Sequence, residues 1–349
     1  MMSERLYLDH AATTPLLSEA RDALHQGFAI WANPSSPHAS GRAARNALES
    51  ARERIAALLG WDGEIVFTSG ATEALAIALN CCIQPLQAVS LVEHEAVLRH
   101  AEGRGRLSVD AAGRVLADEG DVLAGLVAVQ HVNNETGVIQ PLEAIAAAVR
   151  AQGGLLLADC AQSAGKLALP DADLIAIGAH KFGGPIGVGA LLVRDWSMLR
   201  PSGGQERGYR AGTENLPGVL AMAAALEAGA AWLTEAALLR SRLDVAIAAG
   251  GGQIVANDSE RIPTIAAYRL PGVSAASQLI RLDAMGIAVS AGSACSSGSL
   301  RTSHVLSAMG LEGADEVIRV SLGRETGIAG VERFIATWSQ IASGGRVTS

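Results

Sequence analysis

Six short apolar runs lie between residues 64 and 194, and helical patterns separate several of them. Apolar strands that alternate with helices predict a mostly parallel sheet whose faces are covered by helices. We therefore expect an α/β fold for this part of the chain. The runs are EIVFTSG, AVSLVE, LAGLVAVQHV, GLLLADC, DLIAIGA and GALLVR.

The pattern changes after the loop RPSGGQERGYRAGTEN, which spans residues 200–215. The apolar run 216–233 predicts a buried, alanine-rich helix, because Glu227 interrupts it and argues against a membrane span. The strand-like runs TIAAYRL, IAVSAG and VIRVSLG follow, with helices between them. A chain of 349 residues is too long for one small core. We expect a large domain over 15–215 and a smaller α+β domain formed by 1–14 and 216–349.

Charge and cysteine usage argue against several classes of protein. The formal net charge is −8 without a basic cluster, which does not suit a nucleic-acid surface. The residues after Met1 lack the apolar core of a signal peptide, and the four cysteines lack the spacing of a disulfide framework. No spacing of His, Cys and Asp suggests a metal site. The composition predicts a soluble, cytoplasmic protein that binds neither membrane nor nucleic acid.

One basic side chain, Lys181, stands in the otherwise apolar and glycine-rich segment ADLIAIGAHKFGGPIGVGALLV. A lysine that extends past apolar neighbours to reach water is one explanation. The other is a desolvated amine that forms a Schiff base with a carbonyl cofactor. Pyridoxal phosphate would need three further groups: an acid at its ring nitrogen, a cradle for its phosphate and a group over its ring.

Neighbouring strand ends offer these three groups. Asp159 ends the run GLLLADC and would face the crevice at the carboxyl edge of a parallel sheet; the alternative is an N-cap of a helix beginning at Ala161. The turn SGATEALAIAL over 69–79 offers backbone N–H groups and the Thr72 hydroxyl at a helix start, where an anion can sit. His94 directly follows a strand and would supply the stacking ring, although a lone histidine is more often structural.

Ten short motifs occur in one order along the chain: YLDHAATTP, NPSSPHASGR, SGATEA, EHEAVL, VNNETGVIQPL, ADCAQSAGK, AHKFGGP, RAGTEN, SAGSACSSGS and IRVSLG. From Tyr7 to about Gly323, this set resembles the cysteine desulfurases of the NifS/IscS type. These enzymes belong to the class V group of the fold-type I pyridoxal-phosphate enzymes. The resemblance implies a large domain with a mostly parallel seven-stranded sheet, bound pyridoxal 5'-phosphate and L-cysteine as the substrate.

The resemblance also implies how the cofactor is held. Lys181 would form the internal aldimine, Asp159 would pair with the pyridine nitrogen, and His94 would stack on the ring. Gln162 and Asn134 would contact the phenolic oxygen of the ring. Ala71, Thr72 and His180 would bind the phosphate group.

By the same resemblance, Arg319 would grip the substrate carboxylate with the help of Asn33. Taken alone, the alternating pattern VIRVSLG allows Arg319 to be a solvent-facing residue on a half-exposed strand. Thr213 would reach the phosphate bound by a partner subunit, which implies a homodimer with shared active sites.

The four cysteines divide into two groups. Cys81 and Cys82 lie in a predicted helix and Cys160 at a strand end, and all three are predicted to be core residues. Cys295 lies in SAGSACSSGSLRTS, a small and polar stretch that suggests an exposed thiol; a buried turn is the alternative. By the resemblance, Cys295 attacks the sulfur of bound L-cysteine, which yields alanine and a persulfide. The sulfur would pass to an acceptor protein for iron–sulfur cluster assembly or tRNA thiolation.

Several positions depart from the motifs of the family. Gly178 stands where the family commonly has a phosphate-binding serine, Ile186 replaces the lysine of GPKG, and SLEPSH reads SLRTSH over 299–304. Two other functions stay open from the residues. One is a pyridoxal-dependent lyase or transaminase that acts on another amino acid such as selenocysteine. The other is a non-catalytic relative that acts as a binding subunit.

Overall fold

The computed structural model describes residues 5–117, 122–292 and 302–344. The strands in these ranges are β1 (Leu6–Tyr7), β2 (Glu64–Thr68), β3 (Leu86–Ser90), β4 (Gly105–Leu107), β5 (Leu126–Gln130), β6 (Leu155–Asp159), β7 (Leu174–Gly178), β8 (Gly189–Val193), β9 (Gln253–Ile254), β10 (Ile265–Arg269), β11 (Ile287–Ala288) and β12 (Val317–Ser321). The α-helices are α1 (Ser18–Ala29), α2 (Ala39–Leu59), α3 (Ala71–Cys81), α4 (Glu95–Leu98), α5 (Leu142–Ala151), α6 (Leu216–Glu227), α7 (Leu233–Ala249), α8 (Ala275–Ala284), α9 (His304–Ala308) and α10 (Ile328–Gly344).

A seven-stranded sheet forms the larger part of the molecule, in the order β2-β8-β7-β6-β5-β3-β4. Strands β3 to β7 run parallel, and β8 is antiparallel to both β2 and β7. The predicted α/β fold with a mostly parallel seven-stranded sheet is confirmed, and each of the six apolar runs overlaps a strand. The sequence missed β4, because this edge strand has three residues of which two are exposed, so no apolar run marks it.

The carboxyl ends of the central parallel strands lie side by side. Asp159 ends β6 in register with Gln130 of β5 and with Ala176 of β7. Strand β7 ends at Gly178, and Lys181 follows three residues later. In open α/β sheets, ligands bind in the crevice outside these carboxyl ends. The fold therefore directs the acid and the amine towards the same edge of the sheet.

A second set of strands packs beside the large sheet. Strands β12, β10 and β9 form an antiparallel sheet in that order, and the N-terminal strand β1 pairs in parallel with β11. Their core contains the large buried side chains Tyr268, Phe334 and Trp338, together with apolar residues of α7 and α8. This region mixes strands and helices as predicted, and the proposed division of the chain at 15–215 stays a prediction.

The prediction of one helix over 216–233 is wrong. Helix α6 ends at Glu227 and α7 begins at Leu233, and between them Gly229 adopts a positive φ of 69°. The apolar pattern does not indicate where α6 ends, because the helix is buried over almost its whole length. In the part of the chain that the structure describes, no helix is both long enough and apolar enough to cross a bilayer.

The start of α2 also differs from the sequence pattern, which favours a helix from about Ala43. The helix begins at Ala39, since the His38 side chain accepts a hydrogen bond from the Gly41 N–H and caps it. Histidine is an uncommon cap, so the pattern of apolar residues gave no sign of it.

Candidate active site

A cavity of about 460 Å³ opens at the carboxyl ends of the parallel strands. The predicted site residues that line it are Ala71, Thr72, His94, Asn134, Asp159, Gln162, His180, Lys181 and Arg319. Ser290 and Gly292, which follow β11, form another part of its wall. Within the described ranges, no cluster of three or more His, Cys, Asp or Glu side chains could hold a metal ion. The geometry therefore brings together most of the residues that the sequence selects.

The Lys181 side chain points into this cavity rather than to the outer surface. Its Nζ donates hydrogen bonds to the carbonyl oxygens of Ala11 at 2.7 Å and Ala12 at 3.0 Å. The Thr14 hydroxyl donates to the Lys181 carbonyl oxygen at 3.1 Å. The explanation of Lys181 as a surface lysine is wrong, because residues near the N-terminus cover it and fix its amine at the cavity wall.

Asp159 is buried beside the lysine. Its Oδ1 accepts a hydrogen bond from the Ala161 N–H at 2.9 Å, but no helix begins there, so the helix N-cap alternative is wrong. Burial raises the pKa of the Asp159 carboxyl, while the hydrogen bond from Ala161 and the positive charges of His94 and Lys181 oppose that rise. A cation placed against Asp159 would therefore be strongly favoured.

The predicted anion-binding turn, residues 69–72, lies at the N-terminus of α3. Gly70 precedes the helix with a φ of 151°, and no side chain caps the first N–H groups there. A Cβ on Gly189, the first residue of β8, would lie 2.7 Å from Gly70, so a larger residue would push the turn out of place. The uncapped N–H groups and the Thr72 side chain border the cavity, where they favour an anion.

The surroundings of two histidines of the cavity lower the pKa of both side chains. The Nδ1 atom of His94 accepts a hydrogen bond from the Ala96 N–H at 3.1 Å and caps α4. Desolvation lowers the pKa of His94, against the opposing charge of Asp159. Desolvation and the nearby lysine charges lower the pKa of His180 to about 4, and its Nδ1 lies 3.2 Å from the Thr13 hydroxyl.

Gln162 presents an unused acceptor at the cavity. Its Nε2 donates to the Ala11 carbonyl oxygen at 2.9 Å, and its buried Oε1 has no hydrogen-bond partner among the described residues. Buried polar atoms usually have partners, so this atom suggests a ligand contact.

Arg319 is buried and also lines the cavity. One of its terminal nitrogens donates to Asp9 Oδ1 at 2.8 Å and the other to the Asn134 carbonyl oxygen at 2.9 Å. Its Nε is buried without a partner in the described part of the chain. The interpretation of Arg319 as a solvent-facing residue is wrong, because both faces of β12 are covered.

Two of the predicted residues that the structure describes are not brought to this cavity. Asn33 is exposed, and its Oδ1 accepts from the Ser35 N–H at 2.8 Å. Thr213 is also exposed, and neither it nor Asn33 lines the cavity of its own chain. Cys295 lies outside the described residues.

The other cysteines are mostly packed in the interior. Cys82 and Cys160 are buried as predicted, and burial raises the pKa of both thiols. Cys81 is half-buried, so its prediction as a core residue is wrong. It is the last residue of α3, where the helix meets the surface.

Sequence reasoning missed the contribution of the segment from Asp9 to Thr14. These residues contact Lys181, His180, Gln162 and Arg319 through backbone carbonyls, hydroxyls and a carboxylate. The motif YLDHAATTP marked the segment, but nothing in its residue types shows that it reaches the strand ends from the other end of the chain.

Comparisons with known proteins agree with this architecture. Residues 6–334 match the Aminotransferase class-V family. The chain is 38% identical over 364 residues to "Cysteine desulfurase IscS" of Anaeromyxobacter sp. (strain Fw109-5). This alignment covers 92% of this chain and 88% of the relative. A solved "NIFS-LIKE PROTEIN" superposes with a TM-score of 0.87 at 30% identity over 97% of this chain and 100% of the other. The structure "SspA in complex with cysteine" superposes with a TM-score of 0.78 at 30% identity. The superposition covers 91% of this chain and 98% of the other.

Proposed function

The chain belongs to the aminotransferase class-V family and to its NifS/IscS-type cysteine desulfurases, and from this premise we propose that it removes sulfur from L-cysteine to give L-alanine. The observation that carries the proposal is the convergence of Lys181, Asp159 and Arg319 on one cavity. An amine, a buried acid and a carboxylate-binding guanidinium are the groups that this chemistry requires. A solved relative at 30% identity is described as a complex with cysteine, which supports the substrate.

The cavity fits pyridoxal 5'-phosphate. The uncapped N-terminus of α3 suits the phosphate, and buried Asp159 suits a protonated ring nitrogen. The partnerless Oε1 of Gln162 would meet the polar edge of the ring, and Lys181 is the amine that would hold the cofactor covalently. When bound, this cofactor supplies an electron sink for the bond that breaks at the substrate.

The residues of this chain would bind and orient the substrate. Arg319 would hold the substrate carboxylate through its buried guanidinium, which Asp9 already fixes in place. With its amine at the cavity wall, Lys181 would move the proton of the α-carbon. His94 would present the flat face of its imidazole to the cofactor ring.

Cys295 would be the sulfur acceptor within the enzyme. Its thiolate would attack the substrate sulfur, forming an S–S bond as the C–S bond breaks with its electron pair retained on carbon. Protonation of that carbon gives alanine and leaves a persulfide on Cys295, so no external oxidant is required. Cys295 is three residues from Gly292, a lining residue, and an extended chain spans at most about 3.6 Å per residue. This short separation supports the assignment.

The assembly and the fate of the sulfur complete the proposal. Thr213 is exposed away from the cavity of its own chain, which supports a homodimer in which it reaches the phosphate of the partner subunit. The persulfide would pass to an acceptor protein, either a scaffold for iron–sulfur clusters or a tRNA-thiolation enzyme, in the cytoplasm.

An assay of both products tests the function. The purified, cofactor-loaded protein is incubated with L-cysteine and a thiol reductant, and alanine and sulfide are measured. Cys295→Ser should abolish both products while the visible absorption of the cofactor remains. Cys81→Ser, a cysteine that does not line the cavity, is the control and should keep full activity. Alanine formed at the normal rate by Cys295→Ser would overturn the assignment of the nucleophile, and the absence of products from the native chain would overturn the function.

A further inference from the structure

A carboxylate stands at the wall of the cavity, beside the anion-binding turn of residues 69–72. Glu73 belongs to the first turn of α3 and lines the cavity together with Ser69 and Thr72. Its Oε2 accepts a hydrogen bond from the Ser69 N–H, so Glu73 holds the chain that leads into the helix. Because like charges repel, an ionised Glu73 next to a phosphate group needs a cation close by.

The guanidinium of Arg210 is such a cation. Its Nε lies 3.1 Å from Glu73 Oε1, and both side chains are partly buried. Desolvation raises the pKa of Glu73, but the hydrogen bonds from Ser69 and the contact with Arg210 outweigh this effect, and the net shift of the pKa is downward. Glu73 is therefore ionised at neutral pH, and Arg210 balances its charge. Arg210 itself does not line the cavity.

The backbone that carries Arg210 has an unusual conformation. Glu206 and Arg207 adopt positive φ values of 48° and 57°, which residues other than glycine rarely do. The backbone groups of Gln205 and Arg210 pair across this turn, with N···O distances of 2.9 and 3.2 Å. A strained turn persists only where its surroundings fix it. The fold therefore determines where the Arg210 side chain begins.

The same guanidinium also contacts the segment that contains Thr213. Its Nη1 donates to the carbonyl oxygens of Gly212 and Thr213, both at 3.3 Å. Arg210 therefore joins the anion-binding turn of its own chain to the residue that the proposed homodimer assigns to the phosphate of the partner subunit.

We propose that Arg210 is a positioning residue for the phosphate group of the cofactor, which acts by balancing the charge of Glu73 and by holding Glu73 against the anion-binding turn. The inference rests on the proposed function in placing a phosphate group at the N-terminus of α3.

Two ligands that differ only in the phosphate group test this proposal. The full-length, cofactor-free protein is titrated with pyridoxal 5'-phosphate and with pyridoxal, and binding is followed by visible absorption. In Arg210→Met the dissociation constant for pyridoxal 5'-phosphate should rise about three- to thirtyfold, because the charge of Glu73 is then unbalanced beside the phosphate group. The constant for pyridoxal should not change. Arg207→Met is the matched control: Arg207 pairs with Glu64, neither residue lines the cavity, and both constants should stay native.

Glu73→Gln gives a second measurement in the opposite direction. A glutamine can still accept from the Ser69 N–H but carries no charge, so pyridoxal 5'-phosphate should bind at least as tightly as it does to the native chain. If Arg210→Met does not fold by circular dichroism, Arg210→Gln and Glu73→Gln carry the test.

Three results would overturn the proposal: an unchanged constant for pyridoxal 5'-phosphate in Arg210→Met, equal losses for the two ligands, or weaker binding of pyridoxal 5'-phosphate by Glu73→Gln. Each of them leaves binding by the native chain, and with it the proposed function, intact. A native chain that does not bind pyridoxal 5'-phosphate would overturn the proposed function and this inference together.

Discussion

Gly178 leaves room for a hydroxyl beside the predicted anion-binding turn. A Cβ there would lie 3.4 Å from the Ala71 Cβ and N atoms and 3.7 Å from His180 Cδ2, which are ordinary contact distances. The backbone of Gly178 is extended, with a φ of −131°, so a side chain introduces no strain. The loss of the serine that the family commonly has is therefore not enforced by packing.

The first prediction follows from this space. Gly178→Ser should bind pyridoxal phosphate about three- to tenfold more tightly, since one added hydrogen bond contributes about 1 kcal/mol. The dissociation constant is measured by titrating the cofactor-free protein and following its absorption. Gly178→Ala adds the Cβ without the hydroxyl and should bind as the native chain does. Equal tightening by both variants would assign the effect to packing.

Glu93 shows how strongly burial acts on a single carboxyl. It is fully buried next to His94, and desolvation raises its pKa to about 8, against hydrogen bonds from Ser90 and the Gln130 N–H. In the unfolded chain this carboxyl ionises near its ordinary value of 4.5. The folded state therefore binds the proton of Glu93 more tightly than the unfolded state does. The stability that this proton contributes is fully present below pH 4.5 and is lost as pH rises through 8.

Glu93→Gln should remove this pH dependence. The native protein should lose stability between about pH 4.5 and 8, with a slope of at most about 1.4 kcal/mol per pH unit from this group. Urea unfolding at several pH values should give a flatter profile for Glu93→Gln. The exposed neighbour Glu95 provides the control, since Glu95→Gln should keep the native slope. A profile of Glu93→Gln parallel to the native one would contradict the prediction.

At the scale of elements, a buried ion pair joins α2 to the loop that precedes α6. The guanidinium of Arg52 contacts both carboxylate oxygens of Glu206, at 2.8 and 3.0 Å. Glu206 Oε2 also accepts from the Phe67 N–H of β2 at 2.8 Å. One carboxylate therefore fixes a helix, an edge strand and the loop that leads to Thr213.

Glu206→Gln should destabilise the protein by about 3 kcal/mol, because it removes the buried carboxylate that faces Arg52 and leaves this charge only the half-buried Glu49, 2.9 Å from its Nε. Chemical denaturation measures the change in the free energy of unfolding. Glu227→Gln is the matched control, since Arg54 and Glu227 form an exposed pair that contributes less than about 1 kcal/mol. Similar losses in the free energy of unfolding for the two variants would contradict the prediction that burial makes the Arg52–Glu206 pair the stronger one.

At the scale of the whole molecule, Arg319 connects distant parts of the chain. It belongs to β12, and its side chain contacts Asp9 near the N-terminus and the Asn134 carbonyl of the large-sheet region. A substrate carboxylate bound there would contact residues from both sheets. The two-domain division remains a prediction, but this contact shows that the cavity depends on both parts.

Arg319→Lys should raise the KM for L-cysteine about ten- to a hundredfold with a smaller effect on kcat, because an ammonium cannot form the paired contacts of a guanidinium. Steady-state kinetics of alanine formation measures both constants. Arg269→Lys is the control, since Arg269 lies on the adjacent strand and pairs with Glu316 away from the cavity. A change confined to kcat in Arg319→Lys would contradict a role in substrate binding.

The sequence by itself determined the class of fold and most of the site. Apolar runs separated by helices require a buried, mostly parallel sheet, and residues at the ends of adjacent parallel strands must meet at one edge, so Asp159 and Lys181 were predictable. Local patterns also sufficed to predict the anion-binding turn before α3, because its free N–H groups all belong to the first turn of one helix.

Only the tertiary structure decided which distant segments complete the cavity. Asp9, Ala11 and Thr14 reach Lys181 and Arg319 because β1 pairs with β11 and carries the N-terminal segment across the strand ends. The burial of Arg319 and the raised pKa of Glu93 were likewise hidden from the sequence. Each depends on which atoms exclude water from a group, and that is a property of packing rather than of the order of residues.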